Sequence, residues 1–320
     1  MNKRIKSFIA ISAILFSALS SGNAYAQQTE TIVIDPLFEY PQAPEEMTSL
    51  VDKSNYLVDH FWDSMNFKNK STVDQNALND AFHVYSVPMR WADKARSLAS
   101  ADKLVEKVSK SPTLLLQFTK AAEENIYGPR AEVWIDEVYM KFLEAIVKNK
   151  KINDARKNRY RTQLTKLKAC VQGEKAPEFT FTNFDGKEAK YFPMSTVTML
   201  IFGDPNLFEW RMSRLKMESN TALSQAVDKG KLNIMFINLV DKKDWQNDVS
   251  NYSTKWTVGS APSLREQFDF RTSPSIYLVG SDGKILMKNV APENAIFEAL
   301  QQIEKPVEAP AAPARPTKKK

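Results

Sequence analysis

One cysteine, Cys170, and two histidines, His60 and His83, are the only thiol and imidazole groups in this 320-residue chain. A thiol becomes a nucleophile as its thiolate, which a helix N-terminus, a histidine or another cation stabilises. Cys170 is flanked by the apolar Ala169 and Val171 and has no histidine near it in sequence. Three fates stay open for it: a buried inert thiol, an intermolecular pair, or a reactive group. His60 and His83 have neither His-x-x-x-His spacing nor partnering cysteines, so they do not make a zinc site and read as helix-surface or packing residues. Asp241, Asp244 and Asp248 lack the loop glycine and closing glutamate of a calcium motif and read as a solvated loop. Gly-x-Ser-x-Gly, phosphate-loop and Gly-x-Gly-x-x-Gly patterns are absent, and nine glycines leave little room for phosphate-cradling turns. No catalytic residue, metal or cofactor is expected.

The charge sits at the ends. Of the net +6, three charges come from Lys3, Arg4 and Lys6, and three from 306–320, leaving the body neutral. A neutral body gives no electrostatic reason to expect nucleic acid. The first segment reads as a signal peptide: a basic start, an apolar run from Phe8 to Leu19, then Ala24-Tyr25-Ala26. That run is shorter than the ~20 residues a membrane span needs. Cleavage after Ala26 and a periplasmic destination are expected, with no stable membrane insertion afterwards. No cysteine stands directly after the cleavage point to carry a lipid, and a single cysteine forms no internal disulfide, so the core must hold the fold. Residues 306–320 read as a disordered Pro/Ala/Lys tail.

Residues 27–45 are proline-rich, with Leu37, Phe38 and Tyr40 as anchors. From there to residue 171 the pattern is helical. Leu50, Leu57, Phe61 and Met65 recur at helical spacing, and segments follow at 72–87, 89–109, 112–126, 129–148 and 153–168. The last is basic and reads as a solvated face. An all-helical domain of five or six helices over 27–171 is expected. After Gly173 the texture changes. Phe179–Thr182 and Tyr191-Phe192 flank an Asp185-Gly186 turn, and Val197–Phe202 reads as a buried strand. A long helix is expected from Leu207 to Lys229, then a strand over 232–239 and a loop or short helix carrying Trp245, Tyr252 and Trp256. A helix over 262–268, strands at 275–279 and 284–288, and a helix at 292–303 complete a second domain over 172–305.

The order β-α-β, then α, then β-β-α resembles the thioredoxin topology. Gly173-Glu174-Lys175-Ala176-Pro177-Glu178-Phe179-Thr180, with Asp185-Gly186-Lys187 after it, is similar to the G-x-x-A-P-x-F opening of peroxiredoxin and thiol reductase-type domains. Tyr40-Pro41, Tyr56-Leu57-Val58, Phe61-Trp62 and Phe67 resemble the opening of a helical domain of unknown function. That domain precedes thioredoxin-like domains in secreted Gram-negative proteins. The fold class implied is an all-helical domain followed by a thioredoxin-like three-layer α/β domain.

The resemblance implies a cysteine pair on the first turn of a helix, facing a cis-proline. Asp204-Pro205-Asn206 leads into the helix, with Asn206 as its expected N-cap. Pro274, in Arg271-Thr272-Ser273-Pro274-Ser275, is the candidate cis-proline. The cysteine positions carry Leu207 and Trp210, so a dithiol–disulfide cycle within one chain has no reagents. Leu207, Phe208 and Trp210 then either form an exposed peptide-binding surface with Ser273 and Pro274, or plug the vacated pocket. Met194, Met199, Met212 and Met217 read as core filling. The expected function is an exported, redox-inactive protein that binds a protein or peptide partner in the cell envelope. The alternatives are a thiol-disulfide oxidoreductase working through Cys170 with a partner's thiol, and a structural component of an envelope assembly.

Overall fold

The computed structural model describes residues 36–67, 72–193 and 196–304. The expected signal peptide (1–26), Met194 and the expected disordered tail (306–320) lie outside the described residues. The lead-in from Pro36 runs without regular structure. Phe38 and Tyr40 pack on Phe61, with ring centroids 5.6 and 5.1 Å away.

Six α-helices follow: α1 (Leu50–His60), α2 (Gln75–Ser86), α3 (Lys94–Val108), α4 (Pro112–Ile126), α5 (Asp136–Lys148) and α6 (Asp154–Ala169). Short polar side chains start four of them. Ser49, Asp74, Ser111 and Asn153 each accept a backbone N–H three residues on, which satisfies one of the free donors of the first turn. The helices close on one aromatic core in which Trp62 packs against Phe82, Tyr85 and Phe118. Two expected helices are shorter than their patterns. Residues 88–90 form a 3-10 turn instead of opening α3, because Pro88 cannot donate in a continuing helix. Residues 129–135 stay irregular, and the Trp134 indole N–H donates to the Gly128 carbonyl at 3.0 Å, ahead of the start of α5.

The remaining chain builds β1 (Phe179–Asn183), β2 (Glu188–Tyr191), β3 (Val197–Gly203), β4 (Leu232–Asn238), β5 (Thr257–Ser260), β6 (Ser275–Val279) and β7 (Ile285–Lys288). Helices α7 (Phe208–Glu218), α8 (Thr221–Asp228) and α9 (Pro292–Glu304) accompany them. The strands form one mixed sheet in the order β2-β1-β5-β4-β3-β6-β7. β3 pairs parallel with β4 and antiparallel with β6, so it lies between them, buried along its whole length. Alternation along β3 divides the core. Met199 and Ile201 face α7, α8 and α9, while Leu200 and Phe202 face the opposite side with Cys170, Phe268 and Tyr277.

The single long helix expected over 207–229 is two helices. Ser219 and Asn220 break it, and the Asn220 side chain accepts the Leu223 N–H at 3.0 Å to start α8. The helix expected over 262–268 is a 3-10 turn at 262–266. β5 was absent from the sequence pattern. It is four residues long and contains Gly259, so it carries too short an apolar run to register.

Candidate functional site

The site lies where β3 runs into α7. The turn between them is built by Asp204, whose carboxylate accepts the Asn206 N–H at 2.9 Å and whose carbonyl accepts the Leu207 N–H at 3.1 Å. Leu207, not Asn206, is the N-cap of α7, and it offers no side-chain acceptor to the first turn. The Asn206 amide instead donates to Asp248 at 3.0 Å, and Lys242 reaches the same carboxylate at 2.9 Å. These two donors hold the Asp248 carboxyl below its usual pKa, Lys242 contributing most. Asp248 is thus an anchor for the turn.

Trp210 points inward. It is 1 % exposed, meets the Phe236 ring edge-on at 5.2 Å and donates its indole N–H to the Tyr252 hydroxyl. The Arg214 guanidinium lies over the Tyr252 ring at 4.8 Å and closes the stack from outside. Gly203 makes room for the indole. A Cβ there would fall 2.8 Å from the Trp210 ring and 3.5 Å from the Pro274 Cα. Gly203, Trp210 and Pro274 are therefore brought together, and the Ser273–Pro274 bond is cis.

Of the two alternatives for this site, Trp210 takes the plug. Its place in an exposed binding surface is corrected, because the face of α7 that carries it is turned to the sheet. Leu207 and Phe208 lie the other way, 41 % and 68 % exposed, and Ser273 is exposed while Pro274 is buried. Met212 and Leu215 continue the outer face of α7 at 36 % and 47 % exposure. Core filling holds for Met199 and Met217, which are buried, and is corrected for Met212.

Cys170 caps α6 and is fully buried, on the face of the sheet opposite Trp210. Burial pushes its thiol pKa up, partly opposed by the Asp269 N–H and the Tyr277 hydroxyl beside it. Burial and that bias both work against the thiolate, which is the reactive form. Cys170 also has no path through the sheet to Leu207. His60 and His83 are exposed; His60 pairs with Asp63 at 2.9 Å.

A buried charge cluster that no sequence motif marks ties the helices to the proline loop. Arg271 is 4 % exposed and reaches Asp269 at 2.8 Å and Asp136 of α5 at 2.9 Å. Lys288 reaches the same two carboxylates at 3.3 and 2.7 Å. The guanidinium is sandwiched between Tyr127 and Trp134, 4.9 and 4.5 Å from their ring centroids, with its Nε and Nη1 atoms lacking any hydrogen-bond acceptor. Burial works against the Arg271 cation, but Asp136 and Asp269 outweigh it and raise its pKa. The signal available in sequence was charge in an apolar setting: Asp269 and Arg271 alternate with Phe268 and Phe270 just before the proline.

Residues 17–169 match the family model described as Domain of unknown function (DUF5106). No curated protein matches the chain. Among solved structures, a thioredoxin-like protein from Bacteroides caccae superposes with a TM-score of 0.72 at 20% identity, covering 84% of this chain and 99% of its own. The fold is thioredoxin-like. The thioredoxin domain of a thiol-disulfide oxidoreductase from Bacteroides vulgatus is 16% identical with a TM-score of 0.36, covering 42% of this chain and 98% of its own. A thiol-disulfide oxidoreductase from Bacteroides fragilis, also 16% identical, gives 0.35 over 41% of this chain and 99% of its own. This chain thus follows a DUF5106 region with a thioredoxin-like domain. With one cysteine in the whole sequence, that domain has no Cys-x-x-Cys pair.

Proposed function

We propose that the chain is an exported, non-catalytic thioredoxin-like protein that binds a protein or peptide partner in the cell envelope. The observation that carries this reading is the occupancy of the two redox positions. Trp210 fills the inner one as a buried plug, and Leu207 leaves the outer one apolar and exposed beside Phe208. The helix N-terminus and the proline loop remain, so the site keeps the means of holding a chain segment without the means of exchanging a disulfide. Cys170 supplies no substitute, being buried on the far side of the sheet. The N-terminal pattern ending in Ala24-Tyr25-Ala26 supports export. Among the described residues no helix is long and apolar enough to cross a membrane.

An insulin-reduction assay with the mature chain tests the catalytic half. No turnover above a thiol-free control is expected, and clear turnover overturns the reading. The binding half is tested by affinity capture from envelope extract with wild type and Phe208→Ser. Selective loss of a captured protein in the variant is expected; identical capture profiles refute this surface.

A further inference from the structure

The outer face of α7 has a feature that a generic apolar patch lacks: its charges are arranged to match a copy of itself. Phe208, Met212 and Leu215 are spaced by four and three residues, so they form one stripe along the helix, and all three are exposed. Two charged rows flank it. Glu209 and Lys216 lie on one side, seven residues apart, and Arg211 and Glu218 lie on the other, also seven apart. In coiled-coil terms the stripe occupies the a and d positions, and the rows occupy e and g.

Each row carries opposite signs at its two ends. In an antiparallel pair related by a two-fold axis, each row faces its own copy run backwards. Glu209 then meets Lys216 of the second molecule, Arg211 meets Glu218, and symmetry repeats both contacts. A parallel pair would set g against e, placing Arg211 opposite Lys216, which repels. The charge pattern therefore selects one orientation, and it is the one that closes as an isologous dimer, the commonest soluble oligomer.

Two of the four partners are unengaged by other charges, and the other two would exchange an existing pair for these contacts. Glu209 forms no ion pair among the described residues, and Arg211 bonds only the Asn206 carbonyl, at 2.7 Å. Glu218 has a 3.7 Å pair with Arg214, and Lys216 pairs with Glu293 of α9 at the surface. Phe297, one turn along α9 from Glu293 and 63 % exposed, extends the apolar area on that side.

We infer that the α7 face binds a second copy of this chain, forming an antiparallel helix pair across the degenerate redox site. This rests on the reading of that face as a binding surface and names its partner. Less than two heptads meet, well below the roughly 800 Å² per partner of a standard interface, so the dimer is weak and in exchange with monomer.

Sedimentation velocity on the mature chain, from about 1 to several hundred μM, covers the range expected for so small an interface. A concentration-dependent monomer–dimer equilibrium is expected. Glu209→Lys and Lys216→Glu should each weaken it roughly tenfold, since each places two like-charged pairs in the interface. An equimolar mixture of the two variants should dimerise again, because the heterodimer restores both pairs in trans. Met212→Asp should give a monomer with an unchanged circular dichroism spectrum. A wild-type chain that stays monomeric throughout overturns the inference. So does a dimer indifferent to Glu209→Lys, or a mixture that fails to recover. If the chain is monomeric yet still loses a captured protein on Phe208→Ser, the partner-binding reading survives and this inference alone fails. Insulin turnover would overturn the non-catalytic reading whatever the oligomeric state.

Discussion

Replacing Trp210 by Ala separates a structural plug from an exposed recognition residue. Trp210 is among the largest fully buried side chains of the chain and is held on three sides by Gly203, Phe236 and Tyr252. Truncating a buried tryptophan removes its transfer free energy and leaves a cavity, together about 3–5 kcal/mol. The lost indole N–H adds little, because Tyr252 is only half-buried and water can replace that donor. Leu207→Ser and Phe208→Ser act on exposed positions and should stay within about 0.5 kcal/mol. The contrast between these substitutions is the quantity that decides. Urea unfolding followed by circular dichroism, with m-values compared, reads it. A cost under about 1 kcal/mol for Trp210→Ala would refute the plug.

Gly203 sharpens the test. Its missing Cβ is where the indole sits, so Gly203→Ala overpacks the site by about 1–3 kcal/mol in the wild-type background. With Trp210 already truncated the added methyl meets empty space, and most of that cost should vanish. A double-mutant cycle should therefore give an interaction energy above about 0.5 kcal/mol, of the sign that makes the double variant more stable than additivity. Strict additivity would mean that the indole and Gly203 do not share the pocket.

Leu207→Cys places an exposed thiol at the N-terminus of α7, where the helix dipole should bring its pKa below the ~8.5 of a free cysteine; the pH dependence of disulfide-reagent labelling measures it, and an undepressed value would mean the turn no longer activates a thiol. Cys170 should label slowly in native protein and quickly in urea, whereas rapid native labelling would restore it as a candidate nucleophile. Asp136→Asn leaves two buried cations facing one carboxylate and should cost about 3–5 kcal/mol, with hydrogen exchange rising in the 127–136 and 269–275 segments; no change in either segment would refute its role in holding helices to loop. Asp248 is held below its usual pKa by Lys242 and Asn206. The unfolded chain therefore takes up its proton first as pH falls: the contribution is fully present above roughly pH 4–5, past the unfolded value, and is lost as pH drops through the folded one. Asp248→Asn should flatten that acid limb in a pH series of melts, and an unaltered limb would refute the assignment.

The parts of the fold that showed in sequence are those where a long apolar period fixes the element. β3 and β4 are nearly continuous apolar runs because both their faces are covered, and α4 and α9 carry apolar stripes along their length. The stripe expected from Leu50 does not run along α1, which ends at His60 with Leu50 48 % exposed and with Phe61 and Met65 buried beyond it. Elements without such a period were hidden. β5 has four residues, and the break at Ser219-Asn220 lies inside a pattern that stays helical on both sides. The site divides the same way. The missing thiols were legible because chemistry depends on residue type alone, and Leu and Trp have none to offer. Which way they point was not, because it depends on the phase of α7 against the sheet. Residue 210 falls on the inner face only because Gly203 and Phe236 leave a slot there. That same phase puts Phe208, Met212 and Leu215 outside, so one rotation of one helix both buries the plug and exposes the stripe. The plug and the binding face are thus a single structural choice. A change that rotated α7 enough to hide Phe208 would pull Trp210 out of its slot, and losing the plug would disorder the surface beside it.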